Sequence, residues 1–281
     1  MNVFVPEVYD ELITELAFGI EPIDAQRGTR IPGPLQVTFD ECPRPLHTWR
    51  TFAPGVRLDD VLPRMERHDS GRYARVFDRL TPTDIKLRVS DARRRYVPRR
   101  LTVTIPAAGA GLGIEGRVLQ VFMHPGANAD LVSSMTALRG RVQRADGTPV
   151  RWCRVQATDI TTSDVFGFAH GDDRGEFLLP LAPPQDAVGM AVNPLQVRLE
   201  LGYLDPPPAP PITDPLVRVV DPIWDLTEET VAALPVPPPV APAIGTVVDG
   251  RTFPAAYVRT TFLAPFTIPA GQTRPAVLTV P

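Results

Sequence analysis

The chain is poor in lysine, cysteine and histidine, and it has no long hydrophobic run. Lys86 is its only lysine, and its 281 residues include 2 cysteines and 4 histidines. No segment approaches the roughly 18 uninterrupted apolar residues of a membrane-spanning helix. Residues 1–7 contain neither the basic nor the apolar region of a secretory signal. We therefore expect no membrane span. We also expect the protein to assemble in the cytoplasm without a signal peptide. The alternative to staying in the cytoplasm is release as part of an extracellular particle.

Neither sign of charge dominates the composition. The formal net charge is −3, so no strong field would attract nucleic acid or an anionic membrane. The densest basic segment, residues 93–100, holds five arginines and a single aromatic residue, Tyr96. A nucleic-acid surface would combine more stacking aromatic side chains with a basic domain. We predict no nucleic-acid partner, and an exposed hairpin whose arginines pair with acidic groups at a subunit contact.

The sequence offers no convincing metal or disulfide site. Cys42 and Cys153 lie more than a hundred residues apart and outside any zinc-type spacing, which favours free thiols in a reducing compartment. His47, His68, His124 and His170 have no second histidine or cysteine at ligand spacing. The densest polar cluster, His170 with Asp172, Asp173 and Glu176, is typical of a turn. A weak calcium site there is the alternative.

No catalytic, cofactor-binding or metal-binding residue is predicted. Residues 68–70, His-Asp-Ser, have the residue types of a hydrolytic triad, but neighbours in a strand or turn point apart. The sequence contains neither a Gly-x-Ser-x-Gly elbow nor a Gly-rich phosphate loop ending in lysine. The composition and motifs therefore favour a protein that is not an enzyme and needs no cofactor.

Proline is abundant and excludes a mostly helical fold. The chain has 34 prolines, about 12% against a usual share of about 5%, and proline blocks helix interiors. From residue 137 onward, short alternating segments are separated by turn residues such as Asp146-Gly147. This pattern is typical of an antiparallel β-sandwich. The predicted strands are 138–143, 150–157, 177–179, 195–201 and 216–220.

A fainter copy of the same order lies upstream. Predicted strands at 31–39, 68–77, 85–89 and 99–105 parallel the later ones, which suggests two sandwiches in tandem. The alternative is an unrelated β domain. Residues 117–123 are strand-like and fit either sheet, and residues 7–18 fit either a short helix or an irregular lead-in.

The last 60 residues differ from the rest. Proline runs at 205–211 and 235–242 must be extended. Residues 227–234 begin with threonine and two acidic residues and end before proline, which predicts one short helix. Strands are predicted at 247–266 and 277–280. Such a segment should lie across its own domains or across a neighbouring subunit.

The predicted architecture is mainly β, with two antiparallel β-sandwich domains of transthyretin or immunoglobulin type and an extended proline-rich C-terminal arm. The predicted units are an N-terminal domain (1–106), a Gly/Ala-rich linker with a connecting strand (107–135), a second sandwich (136–222) and the arm (223–281).

The second sandwich resembles the carboxypeptidase regulatory-like domain. Gly140, Val142, Asp146, Gly147, Pro149, Val150 and Val155 match one family line, and Asp172, Gly175 and Phe177 match another. His170-Gly171 stands where the family usually has threonine before that aspartate. Over about 85 residues, the resemblance implies a transthyretin-like sandwich and almost nothing about chemistry.

The whole layout resembles proteins with such a domain among the components of phage-tail-like contractile injection particles. The segments that carry this likeness are residues 70–73, residues 90–98 and the second sandwich. The resemblance implies a scaffolding protein whose partners are other subunits of a particle or further copies of itself. Deletion of residues 235–281 should then leave folded sandwiches and abolish association.

The alternative is a sandwich that binds a glycan or a cell-surface ligand through its loops. Trp49, Trp152 and Trp224 are candidates for a carbohydrate platform. With only one such side chain in each region, packing into the core is the better interpretation.

Overall fold

The fold is mainly β and contains five sheets within the residues that the structure describes. This computed structural model describes residues 16–40, 55–76, 84–107, 113–131, 135–182, 194–210, 219–231 and 247–281. The helical content of this part is one turn of α-helix, α1 (Leu58–Val61), and one 3₁₀ turn (Ile114–Arg117). The strands are β1 (Leu16–Asp24), β2 (Gln36–Phe39), β3 (Val56–Arg57), β4 (Glu66–Arg67), β5 (Tyr73–Val76), β6 (Asp84–Ser90), β7 (Arg99–Thr104), β8 (Val118–Met123), β9 (Ala137–Arg144), β10 (Arg154–Asp159), β11 (Val165–His170), β12 (Glu176–Pro180), β13 (Leu195–Tyr203), β14 (Val219–Val220), β15 (Glu228–Val231), β16 (Val247–Val248), β17 (Val258–Ile268) and β18 (Thr273–Val280).

Two sheets enclose the first hydrophobic core. Sheet 1 has the order β16-β8-β1-β5-β4, and sheet 2 has the order β15-β7-β6-β2. Phe18 and Leu119 of sheet 1 meet Leu87 and Leu101 of sheet 2 in one fully buried cluster. Every second residue of β7 is buried, as expected for a strand with one face on a core.

Two further sheets enclose the second core. Sheet 3 has the order β12-β9-β18, and sheet 4 has the order β11-β10-β13-β17. Leu138 and Phe177 of sheet 3 pack in one cluster with Val155 and Leu199 of sheet 4, and all four are fully buried. The turn before β10 contains Gly147 with φ +86°, the left-handed conformation that the Asp-Gly pair predicts.

The two sheet pairs have the same pattern of strand pairing, built from different strands. β1 pairs antiparallel with β5 and parallel with β8, just as β9 pairs antiparallel with β12 and parallel with β18. The antiparallel series β2-β6-β7 corresponds to β10-β13-β17. A bridge between Thr38 and Arg64 lies beside β2 where β11 lies beside β10. This correspondence makes β17 and β18 the counterparts of β7 and β8.

Residues 204–257, called the strap below, connect β13 to β17 and cross from the second sheet pair to the first. Within the strap, β14 pairs with β3, β15 pairs with β7 and β16 pairs with β8, all in parallel. β15 and β16 therefore form the outer strands of sheets 2 and 1. β15 and β16 thus join the strap to the first sheet pair by backbone hydrogen bonds, whereas its hydrogen bonds with the second sheet pair involve side chains.

The helix predicted for residues 227–234 is wrong, because residues 228–231 form β15. Threonine and acidic residues favour a helix start locally, but pairing with β7 satisfies the same backbone groups. The Glu228 carboxylate also accepts from Lys86 Nζ at 3.2 Å and from the Thr102 hydroxyl. Tertiary contacts thus override the local preference.

Other strand predictions need correction, and one alternative is decided. The strand predicted at 31–39 is limited to β2, and the predicted 247–266 is divided into β16 and β17 by residues 249–257, which are not strand. The strand predicted from residue 150 begins only at β10, because Trp152 adopts φ +55° in the preceding turn. The described part of the strand predicted at 216–220 is β14, and residues 216–218 lie outside the described residues. Residues 118–123 form β8 and complete sheet 1 rather than sheet 3. The predictions for residues 7–15, 108–112 and 235–242 lie outside the described residues.

The end of the chain is part of the second core rather than an arm. β17 and β18 occupy sheets 4 and 3, and Ile268, Leu278 and Val280 are buried there. The expectation that deleting residues 235–281 leaves folded sandwiches is therefore replaced. That deletion should unfold the second sheet pair, because it removes one strand from each of its sheets.

Leu278→Ala tests this role of β18. We expect the free energy of unfolding, measured by urea denaturation, to fall by about 2–5 kcal/mol because the substitution leaves a cavity in the core. Val277→Ala is the matched control on the same strand, since Val277 is 66% exposed and surface changes stay within about 0.5 kcal/mol. Equal effects of the two substitutions would contradict the assignment.

Candidate functional site

The strap meets both sheet pairs in a polar junction that contains several buried charged side chains. Fully buried arginines are rare in proteins and need partners. We call this set of side chains the junction; its members are Arg88, Arg99, His124, Arg151, Trp152, Arg154, His170, Asp221, Asp225, Glu229 and Tyr257.

Asp225 attaches the strap to the second sheet pair. Its Oδ1 accepts hydrogen bonds from Arg151 Nη2 and from Trp152 Nε1, both at 2.7 Å, and its Oδ2 accepts from Arg151 Nε at 2.6 Å. The Tyr257 hydroxyl donates to the carbonyl oxygen of Trp152 at 2.9 Å. A bidentate arginine–carboxylate pair is among the stronger hydrogen-bonded contacts in proteins, so this point of attachment has a defined geometry.

The tryptophans do not form a carbohydrate platform in the described residues. Trp152 is 2% exposed, which confirms the prediction that it packs into a core. The guanidinium of Arg151 lies over the Trp224 ring, 6.0 Å from its centroid. Trp49 lies outside the described residues. The small core around Trp152 also contains Val97, Ile223 and Leu226.

Arg88 attaches the strap to the first sheet pair. Its Nη1 and Nη2 donate to the two oxygens of Asp221 at 2.7 and 2.8 Å, and its Nε donates to Asp40. Asp40 also accepts from Arg100 Nε at 2.7 Å. The nearby carboxyl of Asp59 is buried, and this burial raises its pKa above the ordinary value.

Arg99 and Glu229 form a third contact between strap and sheet. Arg99 Nε donates to Glu229 Oε1 at 3.1 Å, and its Nη2 donates to Oε2. Arg99 Nη1 donates to the carbonyl oxygens of Phe122 and Val248, each at 2.7 Å. Gly250 packs on this guanidinium with φ +68°, and a Cβ there would lie 2.9 Å from Arg99 Nη2. Only glycine fits this position without displacing the arginine.

Two stacked histidines lie between the sheet pairs. The rings of His124 and His170 are 3.9 Å apart with an interplanar angle of 15°. Their Nε2 atoms lie 2.8 Å from the carbonyl oxygen of Asp249 and 2.9 Å from that of Gly250. Burial, together with the charge of Arg99, lowers the pKa of His124 to about 3, and burial and Arg154 lower the pKa of His170. Both rings are therefore neutral at pH 7.

The arginine-rich segment 93–100 lies in the hairpin of β6 and β7, as predicted, and Arg93 and Arg94 are exposed there, but the segment is not exposed throughout. Arg99 is fully buried, and the acidic partners lie in the same chain rather than in another subunit. Arg95 pairs with Asp91 at 2.9 Å, and Arg94 pairs with Asp173 at 3.5 Å. Asp91 is a local partner, whereas Asp173 is distant along the sequence and only the folded structure brings it to Arg94.

The cluster after His170 is a turn, as predicted. Asp172 Oδ1 accepts from the backbone N–H groups of Arg174 at 2.8 Å and Glu176 at 2.9 Å, while His170 faces Gly250 instead. Among the described residues, no group of three or more histidine, cysteine, aspartate or glutamate side chains is placed to hold a metal ion.

The remaining candidates make local contacts. His68 Nδ1 lies 3.1 Å from the backbone nitrogen of Ser70 and 3.0 Å from its hydroxyl, within one turn. Cys153 is a buried free thiol, and burial raises its pKa to about 12. Cys42 and His47 lie outside the described residues. No helix in the described part of the chain is long and apolar enough to cross a membrane.

Sequence reasoning missed the acidic residues of the strap. Asp221, Asp225 and Glu229 follow one another at intervals of four residues, and this spacing was a usable signal. These three residues lie between proline runs that are typical of an extended arm. Glu229 also belongs to the segment whose sequence predicts the start of a helix. Nothing in the spacing indicates which arginines these carboxylates meet.

Comparison with known proteins gives only weak similarities. No family model matches the chain, and no curated protein is significantly similar to it. A streptococcal ancillary pilin is 9% identical with a TM-score of 0.23, over 75% of this chain and 62% of the pilin. The shaft pilin SpaA from Lactobacillus rhamnosus GG is 9% identical with a TM-score of 0.20, over 78% of this chain and 96% of the pilin. The chain thus spans less than two thirds of the ancillary pilin, and similarities this low carry no argument about function.

Asp225→Asn tests the attachment of the strap. We expect the free energy of unfolding to fall by at least about 2 kcal/mol, because the buried side chain loses its charge opposite Arg151. Asp205→Asn is the control, since Asp205 is 48% exposed in its pair with Arg144 and exposed pairs contribute at most about 1 kcal/mol. A larger loss for the control in urea denaturation would contradict this ranking.

The two buried histidines predict loss of stability in acid. Their pKa values are lower in the folded chain than the ordinary 6.5, so the unfolded chain binds more protons below that pH. Stability should be constant above about pH 6.5 and fall as the pH drops toward 3, by up to about 1.4 kcal/mol per pH unit for each histidine.

The measurement is urea denaturation between pH 8 and pH 4. In the double variant His124→Gln, His170→Gln the glutamine amides donate to the same carbonyl oxygens, and the slope below pH 6.5 should become shallower. His68→Gln removes an exposed histidine and should leave the slope unchanged. A slope that is the same in the double variant and the unmodified chain would show that these rings are not responsible.

Proposed function

We propose that the chain is a non-enzymatic structural protein that mediates protein–protein assembly. The observation that carries the proposal is the difference between corresponding strand edges. In the first sheet pair the outer edges of β7 and β8 are covered by β15 and β16. Their counterparts β17 and β18 each pair on one side only within the described chain. A free strand edge is a template for pairing with another chain.

Large apolar side chains are exposed on both edge strands, β17 and β18. Leu263 is 84% exposed, and Val277 on β18 is 66% exposed. Phe262 and Phe266 face the second core but are only partly buried. Large exposed apolar side chains beside an unpaired edge support a protein partner.

Proline limits how a partner strand would bind. Pro265 has no backbone N–H, so the uninterrupted part of the β17 edge is residues 258–264. Natural proteins use proline to restrict pairing at edges. This supports addition of one short strand in a fixed register rather than open-ended aggregation.

The junction also supports the scaffolding role, because it fixes the strap to the two sheet pairs. The carboxylates of Asp221, Asp225 and Glu229 hold the strap on both sheet pairs. A partner bound at the β17 edge is therefore attached to two sheet pairs that the strap holds together. A spacer in an assembly needs such a fixed arrangement.

The partner we propose for this edge is a second copy of the chain. Two β17 edges related by a two-fold axis run antiparallel and pair by their own backbone groups, and such isologous contacts are the commonest in homo-oligomers. The same surface would serve a different subunit if the chain functions inside a larger particle.

The finer parts of the interpretation belong to the same proposal. The two sheet pairs would be two tandem sandwich domains, the second of the carboxypeptidase regulatory-like type, with the shared strand pairings as support. The chain would be a component of a phage-tail-like contractile particle assembled in the cytoplasm, a role supported by the resemblance of its sequence layout.

Light scattering after size-exclusion chromatography of the full chain, over a range of concentrations, tests the assembly role. We expect a defined oligomer that Leu263→Lys weakens at least tenfold without changing the melting temperature. Val165→Lys is the matched control, because Val165 is an exposed valine on β11 at the opposite edge of sheet 4. A monomer at every concentration, or equal weakening by both variants, would rule out self-association through β17.

A further inference from the structure

A cavity lies between sheet 4 and the turns that follow β1 and β8. Gln156 of β10 and Phe168 of β11 are direct partners across sheet 4, and both line the cavity. Their neighbours Val155 and Ala169 are buried in the second core, so alternation along the strands directs Gln156 and Phe168 to the outer face of the sheet. The first sheet pair contributes lining residues from its two turns, Ala25, Gln26 and Pro125.

This cavity has the size and the walls of a small-molecule site. Its volume is about 440 Å³, within the roughly 300–1,000 Å³ of such sites, which are lined mainly by apolar and aromatic side chains. Phe166, Phe168 and Leu181 are buried side chains that line it. The ring of Phe168 also meets the ring of His124 edge-on, with centroids 6.1 Å apart. Such walls favour a ligand with an aromatic group.

The cavity carries a positive charge that is open to solvent. Arg251 of the strap is exposed and lines it, whereas no aspartate or glutamate is among the described residues that do so. Within the described part of the chain the Arg251 guanidinium has no ion-pair partner, and the hydrogen bond from its Nη2 to the carbonyl oxygen of Ala25 is 3.4 Å long. Burial is the main cause of the lowered pKa of His124, and the charge of Arg251 adds to it. The guanidinium is thus close to a ring that lines the same cavity.

The residues beside Arg251 leave its guanidinium available for a carboxylate. Asp249, the nearest acidic residue along the chain, accepts from the backbone N–H of Arg251 at 3.0 Å and lines a different cavity beside β15 and β16. The side-chain amide of Gln156 makes no hydrogen bond with a described residue, so it can donate to a ligand oxygen. A guanidinium with an amide nearby is a donor set for the two oxygens of a carboxylate.

We propose that this cavity binds a small aromatic carboxylate. The carboxylate pairs with the exposed guanidinium of Arg251, and the ring of the ligand packs against Phe168 and the other apolar walls. The amide of Gln156 supplies a further hydrogen bond. The site is independent of the proposed assembly, because β17 lies at the opposite edge of sheet 4 from β11.

Titration calorimetry and thermal unfolding of the full chain at pH 7 and constant ionic strength test the site. The probe is 3-phenylpropionate, and it is compared with 3-phenylpropionamide, which keeps the ring without the charge, and with propionate, which keeps the charge without the ring. We expect 3-phenylpropionate to bind with a stoichiometry of one and to raise the melting temperature in a saturable manner. The other two compounds should bind at least tenfold more weakly.

Arg251→Met is the decisive variant. Because Arg251 is exposed, the substitution should leave the melting temperature without ligand unchanged. It should weaken binding of 3-phenylpropionate at least tenfold and leave the affinity for 3-phenylpropionamide unchanged. Arg198→Met is the matched control, because Arg198 is an exposed arginine on β13 of the same sheet and does not line the cavity. This control should bind all three compounds like the unmodified chain.

Three results would overturn the proposal. One is the absence of saturable binding of 3-phenylpropionate to the unmodified chain. Another is equal affinity for 3-phenylpropionate and either of the two comparison compounds, since the site would then not need both the ring and the charge. The third is an affinity for 3-phenylpropionate that is the same in Arg251→Met and Arg198→Met, which would exclude Arg251 as the partner of the carboxylate.

Discussion

The pairing of three strap carboxylates with arginines of the two sheet pairs is the interaction on which the rest of the structure depends. Asp221 meets Arg88 of the first sheet pair, Asp225 meets Arg151 of the second, and Glu229 meets Arg99. Arg88 and Arg99 are buried and would be costly to bury without a carboxylate partner. The near absence of lysine fits this arrangement, because only the guanidinium fork holds a carboxylate by two parallel hydrogen bonds.

The sequence predicted most strands and turns correctly, because they depend on local signals. Alternation located β6, β7, β9 and β13, and the Asp-Gly pair located the turn at Gly147. β15 was missed because its residues resemble a helix start and become a strand only against β7. The partners of the arginine-rich segment were missed for the same reason: Arg99 and Glu229 are 130 residues apart, and no local pattern links them.

The common pattern of strand pairing shows that the proline-rich strap is an insertion within the second sheet pair, although its sequence predicts a terminal arm. The strap is inserted between β13 and β17, whereas their counterparts β6 and β7 follow each other directly. Proline runs on a linear sequence do not show that the chain returns to the same core after them. The buried residues after the strap, such as Leu278, look like any short apolar strand.

The parallel pairing of β15 and β16 with the first sheet pair has a consequence for synthesis of the chain. Sheets 1 and 2 acquire their outer strands only when residues 228–248 have been made, more than a hundred residues after β8 ends at Met123. At about 5–20 residues per second, this delay lasts roughly 6–25 s. During that interval the edges of β7 and β8 are bare on the ribosome, and the charge of Arg99 has no carboxylate. The first half of the protein is therefore expected to need shielding from other nascent chains until the strap emerges.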